Sequence, residues 1–250
     1  ALLMVIVTLL FGLAPAIHLS RGKSGGTRTQ TLLIAVQVTA SCVLLIVAGL
    51  YARGLHRVLT TPQGFEIERV FSVNPLLAER GFTATRARLE LDELSRRVSE
   101  IPGVHSAAVC MTQPLTWDYW KDEVSASGGR SAMAYANAVS PRYFETMRIA
   151  ILHGRVFRDG EADAAVVSES LARKLWPGED PVGKRANGLT VVGVAANART
   201  NALRDGDATE VYYPLDRAQA GLARAVLVIR TMESPEKYLP AIRAQLQPAN

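Results

Sequence analysis

The longest charge-free stretch of the chain is the feature that most restricts its fold. Thr31 to Ala52 (TLLIAVQVTASCVLLIVAGLYA) contains 22 residues and no charged side chain. A helix of this length measures about 33 Å, enough to cross the hydrocarbon core of a membrane. A buried core helix is the alternative, but uncharged core helices rarely exceed about 14 residues. The stretch therefore predicts a transmembrane helix over residues 31–55.

A second apolar stretch occupies the N-terminus. Residues 1–17 carry no charge and predict the end of a preceding transmembrane helix over residues 1–19. The chain does not begin with methionine, which is typical of a fragment. A secretory signal peptide is the alternative, because the APA motif at 14–16 resembles a cleavage site. We favour the membrane helix, since no basic segment precedes this stretch and a second apolar stretch follows it.

The net charge of +5 is concentrated near the N-terminus. No acidic residue precedes Glu66, whereas the basic residues before it are Arg21, Lys23, Arg28, Arg53 and Arg57. After that point, the remaining basic residues equal the 23 acidic residues in number, so residues 66–250 are neutral. Nucleic-acid binding is not expected, because it requires a basic surface.

The loop between the two apolar stretches sets the predicted orientation. Residues 20–30 are few, glycine-rich and basic. The positive-inside rule places such a loop in the cytoplasm. Residues 66–250 are then expected on the extracytoplasmic side of the membrane.

Residues 66–250 alternate predicted strands with predicted helices. The helix over 85–101 has apolar residues at helical spacing and ends at Pro102-Gly103. Together with its flanking strands it forms a β-α-β unit. A second unit begins near the C-terminus, and one further strand after Asn250 would complete it. The predicted strands of the two units cover 69–77, 104–111, 189–196 and 224–231, and the second helix begins at Ser234-Pro235.

The sequence thus predicts an α+β fold, in which a split β-α-β body carries an inserted α/β subdomain. The body covers residues 66–112 and 188–250, and the insert covers 113–187. Within the insert we predict strands over 121–127 and 131–139, a short helix that opens at Ser140-Pro141, and a helix over 169–176.

The segment WPGEDPVGKR resembles a phosphate-binding loop, because Gly178 and Gly183-Lys184 have the spacing of a P-loop. A P-loop follows a strand and opens a helix, whereas here a helix comes first and a strand follows. Pro181 lacks an amide donor, and Arg185 stands where a hydroxyl group would bind Mg²⁺. We therefore predict a turn in which Gly183 has a positive φ, and no ATP binding.

The sequence contains no other pattern that predicts catalysis or metal binding. The histidines lack ligand spacing, and no G-x-S-x-G motif occurs. Asp118, Asp122 and Glu123 lie close to Trp117 and Trp120, where we favour a solvated loop over a contact patch. We predict no metal, no cofactor and no catalytic residue.

Three segments, in this order, resemble the periplasmic core domain of MacB-type ABC transporter permeases in the FtsX-like superfamily. They are NAVSPRYFETMRIAILHGRVF (137–157), AVVSESLARKLWPGEDPVGKR (165–185) and TVVGVAANAR (190–199). The apolar stretches are similar to membrane helices of the duplicated form, in which two permease halves are fused. The motif residues that carry the resemblance are Ser140, Pro141, Tyr143, Phe144, Gly154, Arg155, Trp176, Pro177, Gly178, Pro181, Gly183, Lys184, Val192 and Gly193.

The resemblance implies a layout and a function. Residues 1–19 would end the first permease half, 31–55 would begin the second, and 66–250 would be its porter-like periplasmic domain at the bacterial inner membrane. A separate cytoplasmic ABC ATPase would drive movement of the permease, and a periplasmic adaptor protein would be a further partner. The alternatives are a membrane-anchored binding or sensor domain without transport and, ranked last, a periplasmic enzyme.

The predicted orientation can be tested with single cysteines in a Cys42→Ala, Cys110→Ala background. We expect Ser127→Cys to react with a membrane-impermeant thiol reagent in intact cells. Ser24→Cys should react only after the cells are opened, because its loop is cytoplasmic. Strong labelling at position 24 with none at 127 would reverse the orientation.

Overall fold

The computed structural model describes residues 27–60, 69–114, 116, 120–198 and 209–246. The chain divides into two compact units, Ala1–Thr61 and Pro62–Asn250. In the first unit, the described residues form helix α1, Thr27–Thr60. The membrane helix predicted over residues 1–19 lies outside the described part of the chain.

Helix α1 confirms the apolar helix predicted from the charge-free stretch. Its segment Ile34–His56 has a mean hydropathy of 2.1 and is the one helix among the described residues that is long and apolar enough to cross a membrane. The helix begins at Thr27, so residues 27–30 are helical although they were predicted as part of the loop 20–30. A helix satisfies its own backbone hydrogen bonds, so polar residues can extend it beyond the apolar segment.

The second unit is built on one mixed sheet. Its strands are β1 Val70–Val73, β2 Val104–Cys110, β3 Trp120–Ser125, β4 Ser131–Val139, β5 Ile151–Gly154, β6 Ala164–Ser168, β7 Arg185–Ala186, β8 Leu189–Ala195, β9 Glu210–Pro214 and β10 Val226–Thr231. Eight of these ten strands follow the order β1-β10-β2-β4-β9-β6-β8-β5, and the other two pair at its side, β3 with β4 and β7 with β8.

Helices cover both faces of this sheet. They are α2 Ala84–Ser99, α3 Tyr143–Met147, α4 Glu169–Leu175 and α5 Leu239–Leu246, with 3₁₀ segments at Leu215–Arg224 and Pro235–Lys237. The side chains of β2 alternate between two buried clusters, as a pleated strand requires. Ala107 and Val109 face the cluster that contains α2, α4 and α5, whereas Ala108 and Cys110 face the cluster that contains α3.

The first β-α-β unit has the predicted split form. Strands β1 and β2 flank β10, which is antiparallel to both, and α2 connects them. The hydroxyl of Thr83 caps α2 by accepting a hydrogen bond from the Arg86 amide. Leu91, Leu94 and Val98 are buried at helical spacing, which confirms the face predicted from the sequence.

The structure corrects the predicted placement of the next strands. Residues 188–250 were assigned to the body, but β8 pairs with β5, β6 and β7, and β9 pairs with β4 and β6. Only β10 returns to β1 and β2. The apolar, β-branched run of β8 predicts a buried strand but does not identify its partner. We therefore distinguish a three-strand part (β1, β2, β10) from a seven-strand part (β3 to β9).

The C-terminal helix is shorter than predicted. A 3₁₀ turn, Pro235–Lys237, precedes α5, which begins at Leu239. Pro240 has no amide hydrogen, so it cannot continue a helix from the preceding turn, but it is accommodated in the first turn of a new helix. The further strand predicted after Asn250 lies outside the described residues.

Two glycines allow β5 and β8 to approach closely. Gly154 pairs with Gly193 and has a φ of 71°, a left-handed conformation that favours glycine. A methyl group added at Gly193 would overlap the carbonyl oxygen of Arg155. One added at Gly154 would overlap the carbonyl oxygen of Val192. The contact is backbone against backbone, so it cannot be relieved by rotating a side chain.

We expect Gly193→Ala to lower the free energy of unfolding of residues 62–250 by about 2 kcal/mol, because an overpacked backbone contact must be displaced. Gly128→Ala is the matched control, since an added methyl group there has no neighbour within 4 Å. Urea unfolding followed by circular dichroism measures both. Equal midpoints for the two variants would refute the close approach.

Candidate functional site

The two parts of the sheet meet at a narrow seam, formed by residues 109–112 and 137–140. Here β2 and β4 share one paired position, Cys110 with Val139. By contrast, β10 pairs with β2 along the whole length of β2. The seam is therefore the place where the sheet is held by the fewest ladder hydrogen bonds among the described strands.

Side chains replace the missing ladder at both ends of the seam. The hydroxyl of Ser140, a motif residue, accepts a hydrogen bond of 3.0 Å from the Val109 amide. The Asn137 amide group accepts from the Thr112 amide at 3.0 Å and donates to the Thr112 carbonyl at 2.9 Å. Asn137 is 1% exposed, so this pair imitates a backbone bridge inside the core.

Contacts on both faces also hold the two parts together. On one face, the Arg88 guanidinium of α2 lies 3.0 Å from the Asp216 carboxylate of the 3₁₀ segment. On the other, Arg230 of β10 donates from Nε to the Thr146 carbonyl of α3 at 2.6 Å. Arg230 is 2% exposed, so its charge is held within the core. If the two parts of the sheet move against each other, the Arg88–Asp216 and Arg230–Thr146 contacts must either move with them or break.

An open groove of about 750 Å³ lies beside the seam. Strands β2 and β3 pair with the same side of β4, and Met111, Thr112, Gln113 and Thr116, which lie between these strands in the sequence, line the groove. Glu79 and Arg224 line it from the three-strand part. Trp120, at the start of β3, lines it from the seven-strand part. The groove is thus built from both parts of the sheet.

Behind Trp120, a polar group anchors β3 to β9. The Tyr213 hydroxyl donates to the Asp122 carboxylate at 2.8 Å, and the Asn187 side-chain amide lies 3.3 Å from the same oxygen. The ring centroids of Trp120 and Tyr213 are 5.7 Å apart. Burial raises the pKa of the Tyr213 phenol, and the hydrogen bond to Asp122 raises it further. The phenol therefore remains a hydrogen-bond donor at neutral pH.

This arrangement corrects the solvated loop predicted for the carboxylates. Asp122 is half-buried within β3, where alternate residues point into the core. Glu123 is exposed on the opposite face of the same strand and accepts a hydrogen bond of 2.7 Å from Ser131. Asp118 and Trp117 lie outside the described residues.

The motif residues after the seam build an aromatic cluster. Tyr143 and Phe144 of α3 are buried against Tyr212 of β9, with ring centroids 6.2 and 5.0 Å apart, respectively. Phe157 completes the cluster at 6.0 Å from Phe144. Ser140-Pro141 leads the chain from β4 into this cluster, so these motif residues contribute to the core rather than to an open site.

A second group of motif residues lies where β5 pairs with β8. Gly154 and Gly193 make the close approach, and Val192 is partly buried beside them. Arg155 forms a two-pronged ion pair with Glu161, at 2.8 and 2.6 Å. The hydrogen bonds from Arg155, together with one from the Arg158 amide, lower the pKa of Glu161 to about 2. Sequence reasoning did not find this pair, although arginine and glutamate lie six residues apart.

The chain resembles a known protein family over most of its length. The profile of the MacB-like periplasmic core domain family matches residues 31–248. The chain belongs to this family. Among curated proteins, none matches it.

Three solved structures are similar to the chain, and one of them reaches a TM-score of 0.50. The periplasmic region of MacB from Actinobacillus actinomycetemcomitans has a TM-score of 0.50 and 15% identity, over 76% of this chain and 87% of that one. A domain described as belonging to a permease from Porphyromonas gingivalis has a TM-score of 0.44 and 20% identity, over 60% and 73%. The extracellular domain of the ABC-type transporter YknZ from Gram-positive bacteria has a TM-score of 0.42 and 16% identity, over 61% and 77%.

In this MacB-like domain the WPGEDPVGKR segment is a turn, as predicted. Gly178 and Gly183 have φ values of 76° and 86°. The Gly183 amide donates to the Val191 carbonyl at 2.8 Å, and the Lys184 amide to the Pro181 carbonyl at 3.1 Å. The Lys184 ammonium pairs with Glu179. The Gly183 and Lys184 amides, which would contact a phosphate in a P-loop, thus already donate hydrogen bonds to β8 and to the turn itself.

The described residues show little reactive chemistry elsewhere in the domain. Over these ranges, no group of three or more His, Cys, Asp or Glu side chains could hold a metal ion. Cys110 is fully buried, and burial raises the pKa of its thiol. A protonated, enclosed thiol is a poor nucleophile.

Lys184→Ala should leave nucleotide affinity unchanged, because the lysine pairs within the turn and the loop amides are already used. Equilibrium dialysis of residues 62–250 with MgATP measures this affinity, and we expect no saturable binding by either protein. Saturable, Mg²⁺-dependent binding that Lys184→Ala abolishes would show that the turn is a nucleotide site.

Proposed function

We propose that this chain is part of the permease subunit of an ABC-type exporter or mechanotransmission complex, driven by a separate cytoplasmic ATPase. The family match over residues 31–248 carries the proposal. The apolar helix α1 and the weakly paired seam support it. The alternative is a membrane-anchored binding or sensor domain without transport.

In this proposal, the chain sits in the bacterial inner membrane, with residues 66–250 on the extracytoplasmic side. Residues 1–19 and 31–55 belong to successive permease halves, and the basic segment 20–30 between them is cytoplasmic. The chain transmits movement and performs no covalent chemistry, so it needs no metal or cofactor of its own. Its partners are the ATPase, the lipid bilayer and a periplasmic adaptor protein.

Among the described strands, the seam is where the fewest paired positions must separate if the two parts of the sheet move. A hydrogen bond contributes only about 1 kcal/mol net to stability, so separating one paired position costs far less than separating a full ladder. The side-chain bonds of Asn137 and Ser140 can break without unfolding a strand. The partly buried pair between Arg88 of α2 and Asp216 of the 3₁₀ segment is a further contact that such a movement would have to keep or break.

The chain segments that cross the seam differ from those predicted. The sequence placed the connections near Gln113 and Arg185, at the ends of the insert. In the structure, the seven-strand part joins the three-strand part through the residues after β2 and through the 3₁₀ segment Leu215–Arg224. These are the segments that must bend if one part rotates against the other. ATP binding can drive this rotation only if the ATPase-bound state favours one arrangement.

We expect the distance between spin labels at Leu89 on α2 and Ser127 after β3 to change when the full-length permease is trapped with its ATPase and ATP. Leu89 is 69% exposed and lies on the three-strand side, whereas Ser127 lies in the turn between β3 and β4. Pulsed electron paramagnetic resonance, with and without trapped nucleotide, measures the distance distributions.

Labels at Leu89 and Met232, both on the three-strand side, form the control pair, and their distance should stay constant. The change in the first pair should disappear when the ATPase cannot close on ATP. Identical distributions for the first pair in both nucleotide states would favour the static binding or sensor domain.

A further inference from the structure

We propose that the groove beside the seam binds a zwitterionic ligand, one that carries an amine and an acid group on an apolar body. This inference deepens the proposed function, because the groove is built from both parts that the seam connects. It names the chemistry that the domain would sense or carry.

Two oppositely charged side chains, those of Glu79 and Arg224, line the groove on the side of the three-strand part. Glu79 follows β1, Arg224 precedes β10, and the Ala78 amide ties their loops together by donating to the Ala223 carbonyl at 3.0 Å. Neither side chain forms an ion pair with another described residue, and both are exposed. A ligand with a single charge would meet one attractive and one repulsive group. A zwitterion can satisfy both.

The rest of the lining suits an apolar body with a polar edge. Trp120 is 44% exposed at the groove, and Met111 is partly buried next to the seam. A tryptophan ring and a thioether offer a flat and adaptable apolar surface. The Gln113 side chain adds an amide donor and acceptor. A volume of about 750 Å³ is within the range of small-molecule sites.

The position of the groove couples ligand binding to the seam. Glu79 and Arg224 lie on the three-strand side, whereas Trp120 belongs to the seven-strand part. A ligand held by the charges and by the indole contacts both parts at once. It therefore binds one arrangement of the seam better than another, and by linkage it shifts the balance between them.

Two kinds of molecule share this chemistry. A short peptide with free termini carries an ammonium and a carboxylate group, and a phosphoethanolamine lipid head group carries an ammonium and a phosphate group. In either case the ammonium would face Glu79 and the acid group would face Arg224. The experiment therefore uses one water-soluble probe of each kind, leucyl-phenylalanine and the short-chain lipid dihexanoyl-phosphatidylethanolamine.

The test is a calorimetric titration of the full chain in a nonionic detergent, without ATPase or nucleotide. We expect at least one probe to bind saturably, and Glu79→Gln and Arg224→Gln each to weaken it by about tenfold, as loss of a charge-assisted hydrogen bond does. Asp163→Asn and Arg243→Gln, which are exposed and distant in sequence, are the matched controls and should bind like wild type. Tryptophan fluorescence should shift on binding, and Trp120→Phe should remove the shift.

A ligand modification locates the ammonium group. If leucyl-phenylalanine binds, acetylating its amino group should weaken binding to wild type and to Arg224→Gln but have no further effect in Glu79→Gln, because the same contact is already lost. If only dihexanoyl-phosphatidylethanolamine binds, with the same dependence on both charges, the source is a lipid head group.

Absence of saturable binding for both probes, or equal affinity in wild type and both charge variants, would overturn the proposal. Because the titration involves no ATPase, that outcome would leave the nucleotide-driven movement at the seam untouched. Conversely, binding without any nucleotide-driven change in distance would keep the ligand site and remove the transporter.

Discussion

One paired position, Cys110 with Val139, makes a single sheet out of two groups of strands. The continuity of the sheet, and the buried clusters on its two faces, depend on this junction. Two side chains, those of Asn137 and Ser140, supply hydrogen bonds where strand pairing stops. Because β2 and β3 both pair with one side of β4, the same junction also creates the groove between them.

Features that depend on local sequence could be predicted. The apolar spacing in α2 is contained within one segment, and the structure confirms it; the helix ends at Ser99, two residues before the predicted end at residue 101. The partners of β8 could not be predicted, because a strand buried in the sheet is apolar whichever neighbours it has. The same limit moved β9 out of the predicted body.

The candidate site shows the same division. The positive φ of Gly183 follows from its neighbours along the chain, and the structure confirms it. Asp122, by contrast, is fixed by a hydrogen bond to Tyr213, which lies 91 residues away, so sequence proximity to tryptophan gave the wrong environment. The groove was missed for that reason too, since Glu79 and Arg224 come together only through tertiary packing.

The burial of Cys110 makes the reactivity of its thiol depend on the state of the junction. Its thiol is fully enclosed at the paired position, and burial raises its pKa, so it is hidden and protonated while the junction is closed. Thiol reagents attack the thiolate form at an accessible sulfur. The alkylation rate of this cysteine therefore reports how often the junction opens far enough to expose the sulfur. The native chain thus contains its own reporter residue for that opening.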